Sequence, residues 1–201
     1  MDIISNIKEA FLANGINDRI AARVRELRGG RGLSLEALAE ASGVSRSMIS
    51  LIERGESSPT AVVLERLATG LGVSLATLFE APAAAPHPVS RRPDQVEWRD
   101  PASGYLRRNV SPGGFPSPIQ IVEVVFPAGA RVAYETAARP GVTHQQVWVL
   151  EGMIEVCLGD ERFELVAGDC LAMVLDRPIT YHNPTPTPAR YCVVIVASPP
   201  A

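Results

Sequence analysis

The chain is short of cysteine, of lysine and of long apolar runs, and each shortage removes a class of protein. Of 201 residues only three are cysteines, Cys157, Cys170 and Cys192. They are odd in number, far apart and never in a CxxC pair. Neither a disulfide framework nor a zinc site is expected, and a reducing cytoplasm fits. Each is expected to be a small buried hydrophobe. No stretch has the length and apolarity of a membrane span. The opening segment MDIISNIKEAFLANG is interrupted by Lys8 and Glu9 and has no cleavage pattern, so no secretory signal is expected. Positive charge is not in excess either: 19 Lys and Arg face 22 Asp and Glu, for a net charge of −3. A protein that coats nucleic acid non-specifically would be basic, so any such binding must come from a local patch. Lys8 is the single lysine, and that bias has no functional account.

What is present is ample apolar content, 46% of residues, in a length that suits one large or two small domains. The most informative segment is residues 34–60. Ser34 precedes an apolar-periodic run and is placed to cap a helix N-terminus. Leu35, Leu38 and Ala39 share a face of that helix, and small Ala39 permits a close neighbour. Gly43 supplies the left-handed backbone that ends a helix and begins a sharp turn. Val44 fills the corner, Ser45 caps the next helix, and Ile49 and Ile52 turn inward. Arg46, Ser47, Ser50 and Arg54, linked by steps of three and four, form a polar stripe on the opposite face. Arginine can bond guanine in a bidentate manner, and serine hydroxyls reach bases or phosphates. Taken alone, such a stripe is an ordinary solvated helix face. Cap, turn and second cap holding together point to a helix-turn-helix that places its second helix in the major groove.

The stretch from about Ile20 to Phe79, through "LRGGRGLSLEALAEASGVSRSMISLIERGESSPT" and "LERLATGLGVSLATLF", resembles the DNA-binding domain of the XRE family, which has a lambda-repressor-like fold. The resemblance implies five helices, near 18–28, 34–41, 45–54, 60–70 and 74–79. It implies DNA contacts from Arg31, Ser34, Ser45, Arg46, Ser47, Ser50, Arg54 and Thr60. One position departs: Leu35 stands where the family often has a glutamine that touches DNA. Basic residues Arg19, Arg23, Arg25, Arg28, Arg31, Arg46 and Arg54 are expected to form a moderate patch, interleaved with acids. Upstream, Ile3, Ile4, Ile7 and Phe11 have helical spacing, so 2–13 reads as an extra amphipathic helix.

Residues 81–95 read as a linker between a first domain, 1–80, and a second, 96–201. Its APAAAPHPVSRRP run, 81–93, has no apolar periodicity. Beyond it come short β-branched runs, IQIVEVVF, QVWVLEGMIEVCL, RFELVAG, CLAMVL and ARYCVVIVA, parted by Pro, Gly and Asp. Such spacing argues an all-β sandwich or barrel, with Gly152 and Gly159-Asp160 at hairpin turns. The V-L-E-G of Val149–Gly152, the A-G-D of Ala167–Asp169 and Asn183 after a proline-containing turn resemble the cupin family. That implies a double-stranded β-helix, or jelly roll. The chain as a whole is thus expected to be multidomain, α followed by all-β.

Metal-binding cupins use two histidines and a carboxylate from one motif and a histidine from a second. Aligned residue by residue, the carboxylate becomes Gln145, the first histidines fall within 137–141 on Ala, Arg, Pro or Gly, and the last becomes Ile179. His144 and His182 lie out of step, and a one-residue shift turns a strand side chain to the other face. Both are read as non-ligands. No metal cofactor and no enzymatic chemistry are expected. Tyr134, Gln145, Val147, Met173 and Tyr181 are the candidate lining of a small-molecule pocket, with plain core as the alternative. Trp148 has the opposite parity and suits sheet packing or a dimer face.

The expected whole is a cytoplasmic, sequence-specific regulator that binds a double-stranded operator as a homodimer and answers to a small-molecule effector, with no membrane contact. Two alternatives stand beside it. One is a metal-dependent cupin enzyme carrying a DNA-binding domain. The other is a regulator whose β domain only dimerises.

Overall fold

The computed structural model describes residues 3–80, 87–135 and 142–197, with side chains of the first helix described from Gly15 onward. The chain forms two compact units, Met1–Ala84 and Ala85–Ala201. The first is helical: α1 Ile3–Gly30, α2 Leu35–Ser42, α3 Arg46–Glu53, α4 Ala61–Gly70 and a 3₁₀ turn, Leu75–Phe79. The first two expected helices, 2–13 and 18–28, are therefore one helix of 28 residues. Gly15 does not take positive φ. A lone glycine lowers helix stability by only about 1 kcal/mol, too little to force a break. The packing expected of Ile3, Ile4, Ile7 and Phe11 lies outside the described side chains. The fifth expected helix is the 3₁₀ turn, too short for a full α-helical ladder.

Side-chain caps start the shorter helices. The Oγ of Ser34 accepts from Ala37 N at 3.0 Å, that of Ser45 from Met48 N at 3.3 Å and Thr60 Oγ1 from Val63 N at 3.4 Å. Each such cap stabilises by about 1 kcal/mol. Gly43 has φ 65° and donates its N–H to Ala39 O at 2.9 Å, which closes α2 and opens the turn. Ile20, Val24, Leu38, Ile49, Ile52, Leu64, Leu67, Leu71, Leu78 and Phe79 make the core of this unit. Burial of each such large side chain contributes roughly 1.5–3 kcal/mol. Helices α2 and α4 meet at Gly70, where an added Cβ would lie 2.8 Å from Ser42 Cβ and 3.0 Å from its backbone.

The second unit is a two-sheet jelly roll of antiparallel strands: β1 Glu97–Arg99, β2 Leu106–Asn109, β3 Ile119–Phe126, β4 Arg131–Tyr134, β5 Thr143–Glu151, β6 Met153–Leu158, β7 Glu161–Val166, β8 Cys170–Val174, β9 Ile179–His182 and β10 Ala189–Ala197. One sheet runs β1-β2-β3-β10-β5-β8, the other β4-β9-β6-β7. Strand β5 alternates buried and exposed residues along most of its length, as a strand between a core and an outer surface must. Of the expected linker, 81–86 lies outside the described residues, while Arg92–Asp94 form a 3₁₀ turn.

The hallmark residues have structural work to do. The Asp169 carboxylate accepts from Val166 N at 2.9 Å and ties its turn. Asn183 is fully buried. Its amide donates to Phe126 O at 3.2 Å and Thr187 O at 2.8 Å, and its oxygen accepts from Thr185 N at 3.0 Å. The cysteines depart from expectation: Cys170 is exposed and Cys157 and Cys192 are half-buried. Cys170 and Cys192 are the cross-strand partners of Trp148, on the outer face. Parity places them there, because the inward positions alternate with them.

Candidate DNA-reading face and β-unit interior

Helix α3 presents Arg46, Ser47, Ser50 and Arg54 on the side away from buried Ile49 and Ile52. Arg46, Ser47 and Arg54 are exposed and Ser50 is half-buried. The structure adds acidic partners that the sequence reading missed. Arg46 Nε lies 2.5 Å from the Glu36 carboxylate on α2. Arg54 forks Glu56 through two bonds of 2.8 Å and donates to Ser50 Oγ at 2.5 Å. The Glu36 carboxyl is held below the usual range first by a bond from its own backbone N–H and then by Arg46 and Ser34. The Glu56 carboxyl is lowered chiefly by its bond to Arg54. Spacing gives a hint of the second pair, since Arg54 and Glu56 flank a glycine turn. It gives none of the first, which joins two helices.

The other expected contact residues are placed as follows. Ser34, Ser45 and Thr60 engage their hydroxyls as caps, as described. Arg31 follows the end of α1 and donates to Leu27 O at 3.4 Å. The expected arginine patch is smaller than foreseen. Arg23 bonds Glu26 at 2.9 Å and Glu80 at 3.3 Å, Arg25 donates to Glu53 O, and Arg28 grips the Glu53 carboxylate at 2.6 and 2.9 Å. Glu53 is the last residue of α3 and is buried, so this ion pair fastens the recognition helix to α1. Leu35, in the position of the missing glutamine, is half-buried.

In the β unit all five candidate pocket residues turn inward. Gln145, Val147, Met173 and Tyr181 are buried and Tyr134 is half-buried. Gln145 Nε2 donates to the Tyr181 hydroxyl and so bridges the two sheets. Ile179, aligned with a family histidine, is buried apolar core. The positions 137–141 lie outside the described residues. His144 is exposed on the outer face of β5, and His182 faces away from Tyr181 to bond Glu155 at 3.0 Å. The two histidines sit on different sheets.

Sequence reasoning missed Arg107, Tyr105 and Tyr191 inside the roll. Arg107 is 6% exposed and shares an inward row with Trp98, Val124, Tyr191 and Val149. Tyr105 and Tyr134 hydroxyls lie 3.2 Å apart, and the Tyr181 and Tyr191 rings stack at 6.0 Å. Burial raises all four tyrosines above the ordinary phenol value. Burial also lowers the Arg107 guanidinium, against the pull of these tyrosines. The only prior signal was an arginine pair in a four-residue strand, of which one member must face in.

A cleft of about 140 Å³ on the outer surface is lined by Arg92, Glu97, Leu106, Arg108, Glu123, Val125 and Arg190. Arg108 pairs with Glu123, and Arg190 pairs with Glu123 and Glu151.

A capped helix-turn-helix with an exposed polar stripe, in a chain that also carries a jelly roll, defines a DNA-binding regulator. Comparison with known proteins agrees. The family described as helix-turn-helix matches residues 24–78. The chain is 32% identical over 167 residues to the HTH-type transcriptional regulator SutR of Escherichia coli, spanning 82% of this chain and 86% of that protein. It is 30% identical over 185 residues to the HTH-type transcriptional regulator PuuR of the same species, spanning 89% and 93%. A solved HTH_3 family transcriptional regulator from Vibrio cholerae matches 92% of this chain and 98% of its own with a TM-score of 0.75 and 27% identity. The chain belongs to the XRE-type helix-turn-helix transcriptional regulators, and a jelly-roll β domain follows the DNA-binding unit in sequence. It binds operator DNA. Among the described residues no helix is long and apolar enough to cross a membrane.

Proposed function

We propose that the chain is a cytoplasmic, ligand-responsive regulator that reads its operator as a homodimer and performs no catalysis. Arg46, Ser47, Ser50 and Arg54 read the major groove, and Arg31 with the helix N-termini capped by Ser34, Ser45 and Thr60 meets phosphates. One helix-turn-helix reads few base pairs, and paired half-sites lie about 34 Å apart, which calls for two copies. The outer face of the larger sheet supports a dimer contact, with Ile119, Trp148 and Val174 exposed on it.

The β unit receives a small effector in its interior and works without a metal ion. The observation that carries this is the Gln145–Tyr181 bond across the sheets. A neutral amide and a phenol occupy the place where a metal-binding member of the fold would present a carboxylate, and both are weak ligands for a divalent ion. An effector that favours one arrangement of the paired DNA heads changes operator affinity by its differential binding.

Thermal melts of the whole chain against a small-molecule library, followed by gel shifts with any stabiliser, test this reading. A true ligand at a hundredfold excess over its Kd stabilises by about 2.7 kcal/mol and shifts operator affinity. Stoichiometric transition metal in purified protein, with turnover of a substrate, would establish the enzyme instead. A stable dimer that answers to no compound would reduce the β unit to dimerisation.

A further inference from the structure

We infer that the effector is a small carboxylate, held in the β-unit interior by the Arg107 guanidinium and the tyrosine hydroxyls around it. This rests on the β unit being the ligand-binding half. The chain has four tyrosines, and all four act on Arg107. They come from different parts of the roll: Tyr105 before β2, Tyr134 on β4, Tyr181 on β9 and Tyr191 on β10. Burial keeps these phenols protonated at neutral pH, so each offers an O–H that can rotate toward an anion. Arginine keeps its charge in proteins. Holding a cation inside a jelly roll carries a desolvation penalty that an apolar residue at the same inward position would avoid. An anionic guest offsets that penalty through charge-assisted hydrogen bonds.

A second feature gives the ligand another handle. Gln120 Oε1 is buried, and among the described residues no group donates to it. Gln120 lies in one inward row with Ile195, Gln145 and Met173. That row is four residues along β3 from the row of Val124 and Arg107, about 13 Å at the strand rise. The long Arg107 side chain can close part of that span. A buried acceptor without a donor calls for one from a guest. The ligand class is therefore a carboxylate that also carries a hydroxyl or amino donor.

The test titrates the whole chain, in buffer free of carboxylate and phosphate, with lactate, malate and 4-hydroxybenzoate, each beside its neutral amide. Calorimetry and thermal shift give the affinities. The expected result is saturable binding of a carboxylate, roughly ten- to hundredfold tighter than its amide, in line with the strength of charge-assisted bonds. Arg107→Met should abolish that preference. Gln120→Leu should weaken the hydroxy-carboxylate while leaving its unsubstituted analogue unchanged. If Arg107→Met does not fold, the acid-to-amide ratio on the unaltered chain and the Gln120→Leu comparison still decide. Equal binding of acid and amide, no response to any carboxylate, or unchanged carboxylate affinity in a folded Arg107→Met overturns the proposal. A neutral or cationic compound that binds saturably overturns the carboxylate assignment yet leaves ligand binding by the β unit standing. Silence across a library of every charge overturns both.

Discussion

Replacing Glu53 by alanine should loosen the DNA-binding unit more than any other single charge removal in it. The carboxylate is bonded twice by Arg28, at 2.6 and 2.9 Å, with side-chain exposures of 8% for Glu53 and 20% for Arg28. Removing one partner of a fully buried pair costs about 3–5 kcal/mol. Here water reaches part of the guanidinium, and Arg28 keeps its bond to Leu33 O at 2.8 Å. The expected loss is therefore about 2–3 kcal/mol. Arg25 still holds the main-chain oxygen of residue 53, so that contact does not enter the difference. Urea unfolding of the whole chain followed at 222 nm reads the helical unit, and the midpoint should fall with the slope unchanged. Glu53→Gln keeps an acceptor and should lose less. A double-mutant cycle with Arg28→Met isolates the pair, and the two losses should be strongly non-additive. A Glu53→Ala loss below about 0.5 kcal/mol, the range of ordinary surface changes, would refute the argument that this pair fastens α3 to α1.

Three further outcomes are expected. Arg46→Ala should weaken specific operator binding by about 1–3 kcal/mol if the guanidinium reads a base, while Glu36→Gln, which frees it, should strengthen binding; opposite signs in fluorescence anisotropy support the stripe, and no change in either removes Arg46 from the interface. Gly70→Ala should destabilise the helical unit by about 1–3 kcal/mol in thermal melts, because the new methyl meets Ser42 backbone, and a neutral result would show that α2 and α4 can part freely. In an alkaline titration at 295 nm no tyrosine should ionise at its ordinary value. With phenol pKa values raised in the folded state, stability is complete below about pH 10 and falls as pH rises, so phenolate should appear together with unfolding. A reversible phenolate step near pH 10 in folded protein contradicts a closed interior.

The parts legible in the sequence were those set by local chemistry. Ser34 and Ser45 cap helices because a hydroxyl meets a backbone N–H three residues on, and Gly43 turns because it lacks a Cβ. Long strands such as Ile119–Phe126 and Ala189–Ala197 announce themselves by composition. Strands of three or four residues, such as Glu97–Arg99 and Leu106–Asn109, hold too few alternations to be seen. The break expected between helices 2–13 and 18–28 is absent, since the one glycine there lowers helix stability by only about 1 kcal/mol. The interior cation escaped notice for another reason. Arg107 gains its meaning from tyrosines on β4, β9 and β10, which only the fold gathers.

The pairing of Arg46 with Glu36 and of Arg54 with Glu56 bears on how the protein finds its site. DNA sheds condensed counterions in proportion to the phosphates that a protein neutralises. Here each arginine proposed to read the groove has a carboxylate beside it. The duplex gains less net positive charge than the count of arginines suggests, so affinity should fall less steeply with salt than that count predicts. Loose association with arbitrary sequence should be weak for the same reason. In a chain of net charge −3, such restraint favours a regulator that leaves the bulk of the chromosome alone and waits for the few base edges that outbid its own acids.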